Sequence, residues 1–128
     1  LDYRAVLNAY REPDTHFVRK DGLMVVYPGQ YPGERANVQL VGASIMEYSK
    51  EHHSSIMHHV DAGVFITSPS ALSQYSGGEQ GAFDLGLVYR HMIRAHQLTG
   101  YETSIVPYEI GSPEGLGRYT QAVQKGEA

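Results

Sequence analysis

The sequence contains no cysteine and no tryptophan, and it has no long uninterrupted run of apolar residues. The absence of cysteine excludes disulfide bonds and thiolate metal ligands. Without a long apolar run or a recognisable signal sequence, we expect no membrane association. These absences leave burial of apolar side chains as the main expected source of stability.

Basic residues are also scarce, with 10 Lys and Arg against 14 Asp and Glu and a formal net charge of −4. Binding to duplex nucleic acid normally requires a basic surface, so we expect no direct nucleic-acid readout. Of the 128 residues, 41% are hydrophobic and 19% are charged, a balance typical of globular proteins. This length allows one hydrophobic core, and we predict a single α+β domain over residues 1–128.

Alternating apolar residues predict a mostly antiparallel sheet of about four or five strands. The expected strands are a hairpin around Asp21 and Gly22, a long strand with a bulge at Gly42, and the segments 56–66, 105–110 and 117–123. In the segment 56–66, one face is almost wholly apolar, and we expect it to pack on a helix. Its residues are Ile56, His58, Val60, Ala62, Val64 and Ile66.

One long amphipathic helix is predicted over residues 76–99, with a short N-terminal helix over residues 1–11. Ser76 and Glu79 have the spacing of a capping box, and Gly100 is the expected stop of the long helix. The segment between residues 68 and 81 is rich in Ser, Gly and Gln and is predicted as a loop. We expect four side chains to meet between the sheet and the long helix: Val60, Val64, Val88 and Met92.

The histidines suggest a metal site, because imidazole and carboxylate groups suit zinc and related ions. His58, His59 and Asp61 lie within four residues, close to His52 and His53. His59 and Asp61 share a strand face, but no third ligand has a defined place. The alternative is a set of polar side chains on a solvated strand face. We favour that alternative and expect no metal and no cofactor.

No catalytic motif is present. The sequence has neither a Gly-x-Ser-x-Gly elbow nor a phosphate-binding loop. Glu47 and Lys50 resemble part of a nuclease site, but residues three apart on a strand face opposite ways. We therefore predict that the chain is not an enzyme and assign no catalytic residue.

Tyrosine is abundant, with 10 residues against three phenylalanines. A ring with a polar tip suits protein interfaces, where both parts find partners. Tyrosines on predicted loops and the adjoining glycine-rich segment form the predicted contact surface: Tyr27, Tyr31, Tyr75, Ser76, Gly77 and Gly78. The alternative is that the rings pack locally beneath the loops.

The order of elements in the carboxyl half resembles a known family. A helix ending in His96-Gln97-Leu98-Thr99-Gly100 leads to the strand 105–110, a Gly-Ser-Pro-Glu-Gly turn and the strand 117–123. Two long strands, 37–48 and 56–66, stand upstream as a central hairpin. This order resembles the tail-terminator and tail-completion proteins of tailed bacteriophages.

The resemblance implies a virion structural protein that forms a homo-oligomeric ring, usually sixfold, at the head-proximal end of the tail. Its partners would be tail tube or sheath and neck proteins. The protein would be located in the virion tail, after assembly in the host cytoplasm. The family normally begins with a long N-terminal helix, for which residues 1–11 supply a short one. The alternatives are a small metal-binding enzyme and a bacterial protein-interaction module on a similar sheet.

Overall fold

The computed structural model describes residues 1–11, 20–29, 36–51, 54–77, 84–104, 117, 120–121 and 123–126. These residues form three helices and five strands, in the order α1 (Tyr3–Arg11), β1 (Gly22–Pro28), β2 (Val38–Val41), β3 (Ser44–Tyr48), β4 (His59–Thr67), α2 (Pro69–Tyr75), α3 (Leu85–Arg94) and β5 (Leu98–Glu102). The predicted α+β class and the five-stranded sheet are confirmed. In the part of the chain described, every helix is too short to cross a bilayer.

The sheet closes into a small barrel with the strand order β1-β4-β2-β3-β5. β1 and β5 are parallel, and the other pairs are antiparallel. Two seams of the barrel are short. β2 meets β4 through the pair Val38 and His59, and β3 meets β5 through Ser44 and Thr99. The barrel therefore consists of a broad β1, β4 and β5 sheet closed by the β2–β3 hairpin.

β1 is buried on both faces because its sequence, GLMVVYP, is an almost continuous apolar run. Met24 and Val26 belong to the main core, which also contains residues of β2, β3, β5, α2 and α3. Leu23 and Val25 pack instead with Val6 of α1. One strand thus joins two apolar clusters on opposite sides of the sheet.

The predicted cluster of Val60, Val64, Val88 and Met92 is wrong. Val88 and Met92 lie in the main core, but Val64 packs against the α1 cluster. Val60 lies in a third cluster, with Tyr27, Ala36 and Met57. The apolar face of β4 does pack on a helix, but on α1. The opposite face, through Phe65, packs on the core that contains α3.

The single long helix over residues 76–99 is not confirmed. α3 begins after Asp84, whose side chain accepts a hydrogen bond from the Gly86 amide, and ends at Arg94. His96 has a φ of 57°, and the Gln97 amide donates to the Met92 carbonyl, which closes the helix end. Gly100 lies within β5, so it does not cap the helix.

The predicted loop over residues 68–81 contains α2, which Ser68 caps by accepting from the Ala71 amide at 3.1 Å. The small polar residues predicted a loop, but the segment forms a short helix with a serine cap and a proline in its first turn. Ser76 lies at the C-terminal end of α2 and does not begin a helix.

The predicted long strand over residues 37–48 is a hairpin. Gly42, with a φ of 61°, occupies the first position of a two-residue turn between β2 and β3. The bulge lies at Met46, where the register shifts so that Gln39 pairs with Glu47 and Leu40 pairs with Ile45. This shift turns both Ile45 and Tyr48 inward.

The predicted strand over residues 117–123 is wrong where the structure describes it. Gly117, Thr120, Gln121 and Val123 are helical, and the Lys125 amide donates to the Gln121 carbonyl at 3.0 Å. The segments 16–18 and 105–110, also predicted as strands, lie outside the described residues.

We expect Gly100→Ala to lower the free energy of unfolding by about 1–3 kcal/mol, because a Cβ atom there meets packed side chains. Its Cβ position lies 2.5 Å from Leu40 Cδ1 and 2.7 Å from Ile45 Cδ1. Gly29→Ala is the matched control, since its nearest neighbours lie at 3.8–3.9 Å. Urea titration of both variants measures the difference, and equal stabilities would contradict close packing at the β3–β5 seam.

Candidate functional site

The predicted contact residues lie in several places. Tyr27 is 5% exposed within β1, and Tyr75 is 8% exposed at the end of α2, so placing these two rings on loops was wrong. Ser76 is also buried, whereas Gly77 is exposed with a φ of 79°. Tyr31 and Gly78 lie outside the described residues.

Tyr75 joins three elements. Its hydroxyl donates to Asp21 Oδ2 at 2.7 Å, and its carbonyl accepts from His91 Nδ1 at 2.9 Å. Burial, reinforced by the Asp21 carboxylate, raises the pKa of Tyr75 to about 12. Its hydroxyl therefore remains a donor at neutral pH, and it holds α2 against the start of β1.

The predicted histidine cluster does not converge on one point. His59 Nε2 lies 2.7 Å from Glu102 Oε1, across β1, while His58 is exposed. Asp61 Oδ1 accepts from the Gly63 amide at 2.9 Å. Within the described ranges, which omit His52 and His53, no three His, Asp or Glu side chains are arranged to hold a metal ion.

A polar cavity of about 300 Å³ lies between the end of β3 and the start of α3, and we call it the Tyr48 cleft. The β3 end continues into the loop that follows it, and the cap and first turns of α3 form the other wall. The lining residues are Tyr48, Ser49, Lys50, Glu51, Asp84, Gly86 and Arg90.

Tyr48, which lines the cleft, belongs to a cluster of aromatic rings. The rings of Tyr48 and Tyr89 meet edge to face with centroids 5.0 Å apart, and Tyr89 makes the same kind of contact with Phe65. Tyr48 is 4% exposed. Its hydroxyl oxygen is buried and has no hydrogen-bond partner among the described residues. Leaving a buried hydroxyl unpaired costs about 1–3 kcal/mol, which marks this atom as unusual.

The electrostatic environment of the Tyr48 hydroxyl is negative. Burial raises its pKa to about 12, and the carboxylates of Asp61 and Asp84 act in the same direction. Arg90 opposes them with a smaller effect. Burial and the Asp61 charge also raise the pKa of Tyr89. Tyr48 therefore stays protonated near neutral pH, so it is suited to hydrogen bonding and not to nucleophilic attack.

Asp61 itself lies in an environment that disfavours its charge. Burial raises the pKa of this carboxyl, although the Gly63 amide and the Lys50 ammonium group act against the increase. The sequence placed Asp61 on a solvated face, but β4 turns that face toward the core through Phe65. The pairing of β4 with β1 determines which face of β4 is directed toward the core. The alternation of residues along β4 does not by itself indicate that direction.

No protein-family model matches the chain, and no curated protein matches it at a significant level. What its geometry defines is an α+β domain with a closed five-stranded barrel and a polar cleft beside it.

We expect Tyr48→Phe to leave the free energy of unfolding unchanged or to raise it by up to about 1 kcal/mol, because the lost hydroxyl has no partner among the described residues. Tyr75→Phe is the matched control, and it should cost about 1–2 kcal/mol by removing the bond to Asp21. Denaturant titration of both variants tests this contrast. A loss after Tyr48→Phe as large as that after Tyr75→Phe would contradict it.

We expect stability to fall as the pH rises from the ordinary pKa of the Asp61 carboxyl, 3.8, to its higher pKa in the folded chain. In that range the folded chain binds more protons than the unfolded chain, so the slope is negative. Asp61→Asn keeps an oxygen for the Gly63 amide and should remove this decline. Asp2→Asn, at an exposed carboxylate, should retain it. Urea titrations across this pH range give the comparison, and parallel profiles for wild type and Asp61→Asn would refute it.

Proposed function

We propose that the domain acts by binding and assembly and not as an enzyme. In its specific form, it is a virion structural protein resembling the tail terminator. It forms a homo-oligomeric ring at the head-proximal end of a phage tail and links the tube or sheath to the neck proteins.

Three carboxylates of the domain accept hydrogen bonds that stabilise its fold, and this supports a binding function over catalysis. Asp21 accepts from the Tyr75 hydroxyl, Asp61 accepts from the Gly63 amide and Asp84 accepts from the Gly86 amide. Each of these contacts holds a turn or a helix end in place. These three carboxylates therefore have structural partners, and two of them still influence the Tyr48 cleft.

The observation that carries the assembly proposal is the outer face of the β2–β3 hairpin. Val41 is 54% exposed and Met46 is 42% exposed, while Val38 and Ile45 on the inner face are buried. Val41 and Met46 lie near each other diagonally across the hairpin, because Val41 pairs with Ser44. An exposed aliphatic pair with a flexible methionine suits a protein contact.

A closed ring needs two different complementary patches on each subunit, because its contacts are head to tail. The hairpin face supplies one patch in this proposal. The exposed turn at Gly77 is the candidate for the second, since it is the part of the predicted contact surface that remains accessible among the described residues.

A bacterial protein-interaction module is the alternative that the same hairpin supports. It differs in oligomeric state, because such a module binds a different protein and has no need to form a ring. A purified monomer that binds another protein through Val41 and Met46 would favour it. A small metal-binding enzyme is the other alternative, and stoichiometric bound zinc would favour that.

We expect the purified protein to form a ring, and the double change Val41→Thr and Met46→Gln to reduce its mass to smaller species. The polar substitutions remove the apolar contact and keep the size of each side chain similar. Leu87→Gln, at a 39% exposed position on α3, is the matched control and should leave the ring intact. Native mass spectrometry, with circular dichroism to verify folding, measures the outcome.

Tail length tests the specific form of this proposal. A terminator stops tube polymerisation, so tails assembled without the protein should be overlong, and adding it should restore a uniform length. Assembly of uniform tails without the protein would contradict the terminator role. A wild-type protein that stays monomeric at all concentrations would contradict ring formation.

A further inference from the structure

The Tyr48 cleft combines a partly open volume with an unsatisfied polar atom. The cavity of about 300 Å³ is large enough for the end of one long side chain or a small organic molecule. Its wall includes Tyr48, whose hydroxyl oxygen is buried and has no partner in the described ranges. A bound group that pairs with this oxygen would relieve the cost of leaving it unpaired.

The charges around the Tyr48 hydroxyl favour a cationic group. Four charged side chains line the cleft, and all four are exposed: Glu51 and Asp84 are negative, and Lys50 and Arg90 are positive. Near the hydroxyl, the two carboxylates of Asp61 and Asp84 outweigh the guanidinium group of Arg90. An anion there would meet these carboxylates at close range.

The first turn of α3 offers little to an anion. The Gly86 amide already donates to Asp84 Oδ1 at 2.9 Å, and the Leu87 amide donates to the Asp84 carbonyl at 3.0 Å. The carboxylate of Asp84 thus occupies the place that an anion takes at a free helix N-terminus. Arg90 Nη1 lies 3.5 Å from the Cβ position of Gly86, on the same side as this carboxylate.

The spacing of the carboxylates favours an organic cation over a metal ion. Within the described ranges, no three His, Asp or Glu side chains are arranged for a metal, which needs its ligands at about 2–2.6 Å. An ammonium or guanidinium group carries several N–H donors and reaches separate acceptors.

We propose that the Tyr48 cleft binds a positively charged N–H donor group, an alkylammonium or guanidinium group, which donates to the Tyr48 hydroxyl oxygen and pairs with Asp84. This group belongs either to a free amine or to a Lys or Arg side chain of another protein chain. The inference does not depend on the ring proposal, because it concerns α3 and the end of β3 and not the outer face of the hairpin.

The test is titration of the ¹⁵N-labelled protein with n-butylammonium chloride and with n-propylguanidinium chloride, followed by NMR. Sodium chloride at equal ionic strength and sodium butyrate are the controls. We expect saturable shifts of the Ser49 and Gly86 amides, which line the cleft, with either cation and with neither control. Shifts with butyrate alone, or cation shifts that do not saturate, would overturn the proposal.

Three variants assign the binding to named groups. Tyr48→Phe removes only the hydroxyl and should weaken binding about tenfold, as expected for the loss of one hydrogen bond to a charged group. Asp84→Asn should weaken it similarly while still capping α3, because asparagine is a good N-cap. Arg90→Gln removes the competing charge and should tighten binding. Asp2→Asn, at an exposed carboxylate just before α1, is the matched control and should change nothing.

The source of the cationic group is decided by a second pair of titrations. N-acetyl-lysine amide and N-acetyl-arginine amide present the same groups as protein side chains. Tighter binding of these than of the simple cations indicates a side chain of another protein, and weaker binding indicates a free amine. If Tyr48→Phe and Asp84→Asn, both shown to be folded, bind the cations as well as wild type does, the proposal is wrong.

Discussion

The rest of the structure depends on β1 being buried on both faces. Its apolar run pairs with β4 on one side and with β5 on the other, and it packs against α1 while also contributing to the main core. β4 is antiparallel to β1 and brings the chain back to the end of the sheet where β1 begins; α2 and α3 then lie between β4 and β5, which pairs with β1 in parallel from that same end. A polar substitution at Val25 would therefore disturb the cluster with α1, and one at Met24 or Val26 would disturb the main core.

The Tyr48 cleft follows from this arrangement. Because the bulge at Met46 turns both Ile45 and Tyr48 inward, the tyrosine ring reaches Tyr89 of α3 at the edge of the core. Asp84 ends the chain segment that leads into α3 and caps its first turn. The cleft thus combines the end of β3, which carries the buried Tyr48 hydroxyl, with the start of α3, and these two segments are distant in sequence.

The sequence predicted the elements with strong local signals. The α+β class, the short N-terminal helix and the strand near residues 56–66 were predictable because apolar periodicity is a local property. The long helix was not confirmed, because the left-handed conformation of His96 ends α3 where no glycine marks a stop. The Tyr48 cleft was missed because it depends on tertiary pairing. Lys50 follows the predicted strand 37–48, whereas Asp84 and Arg90 lie inside the predicted helix 76–99, so local patterns do not bring them together.

The short seam between β2 and β4 has a consequence for how the barrel stays closed. It is held by the Val38 and His59 pair, by the Asn37 amide donating to the His59 carbonyl, and by Asn37 Oδ1 accepting from the Asp61 amide. Few hydrogen bonds therefore join the β2–β3 hairpin to β4, but moving it away would also remove Val38, Ile45 and Tyr48 from the main core. The apolar side chains that the hairpin buries, more than the hydrogen bonds of this seam, keep the barrel closed.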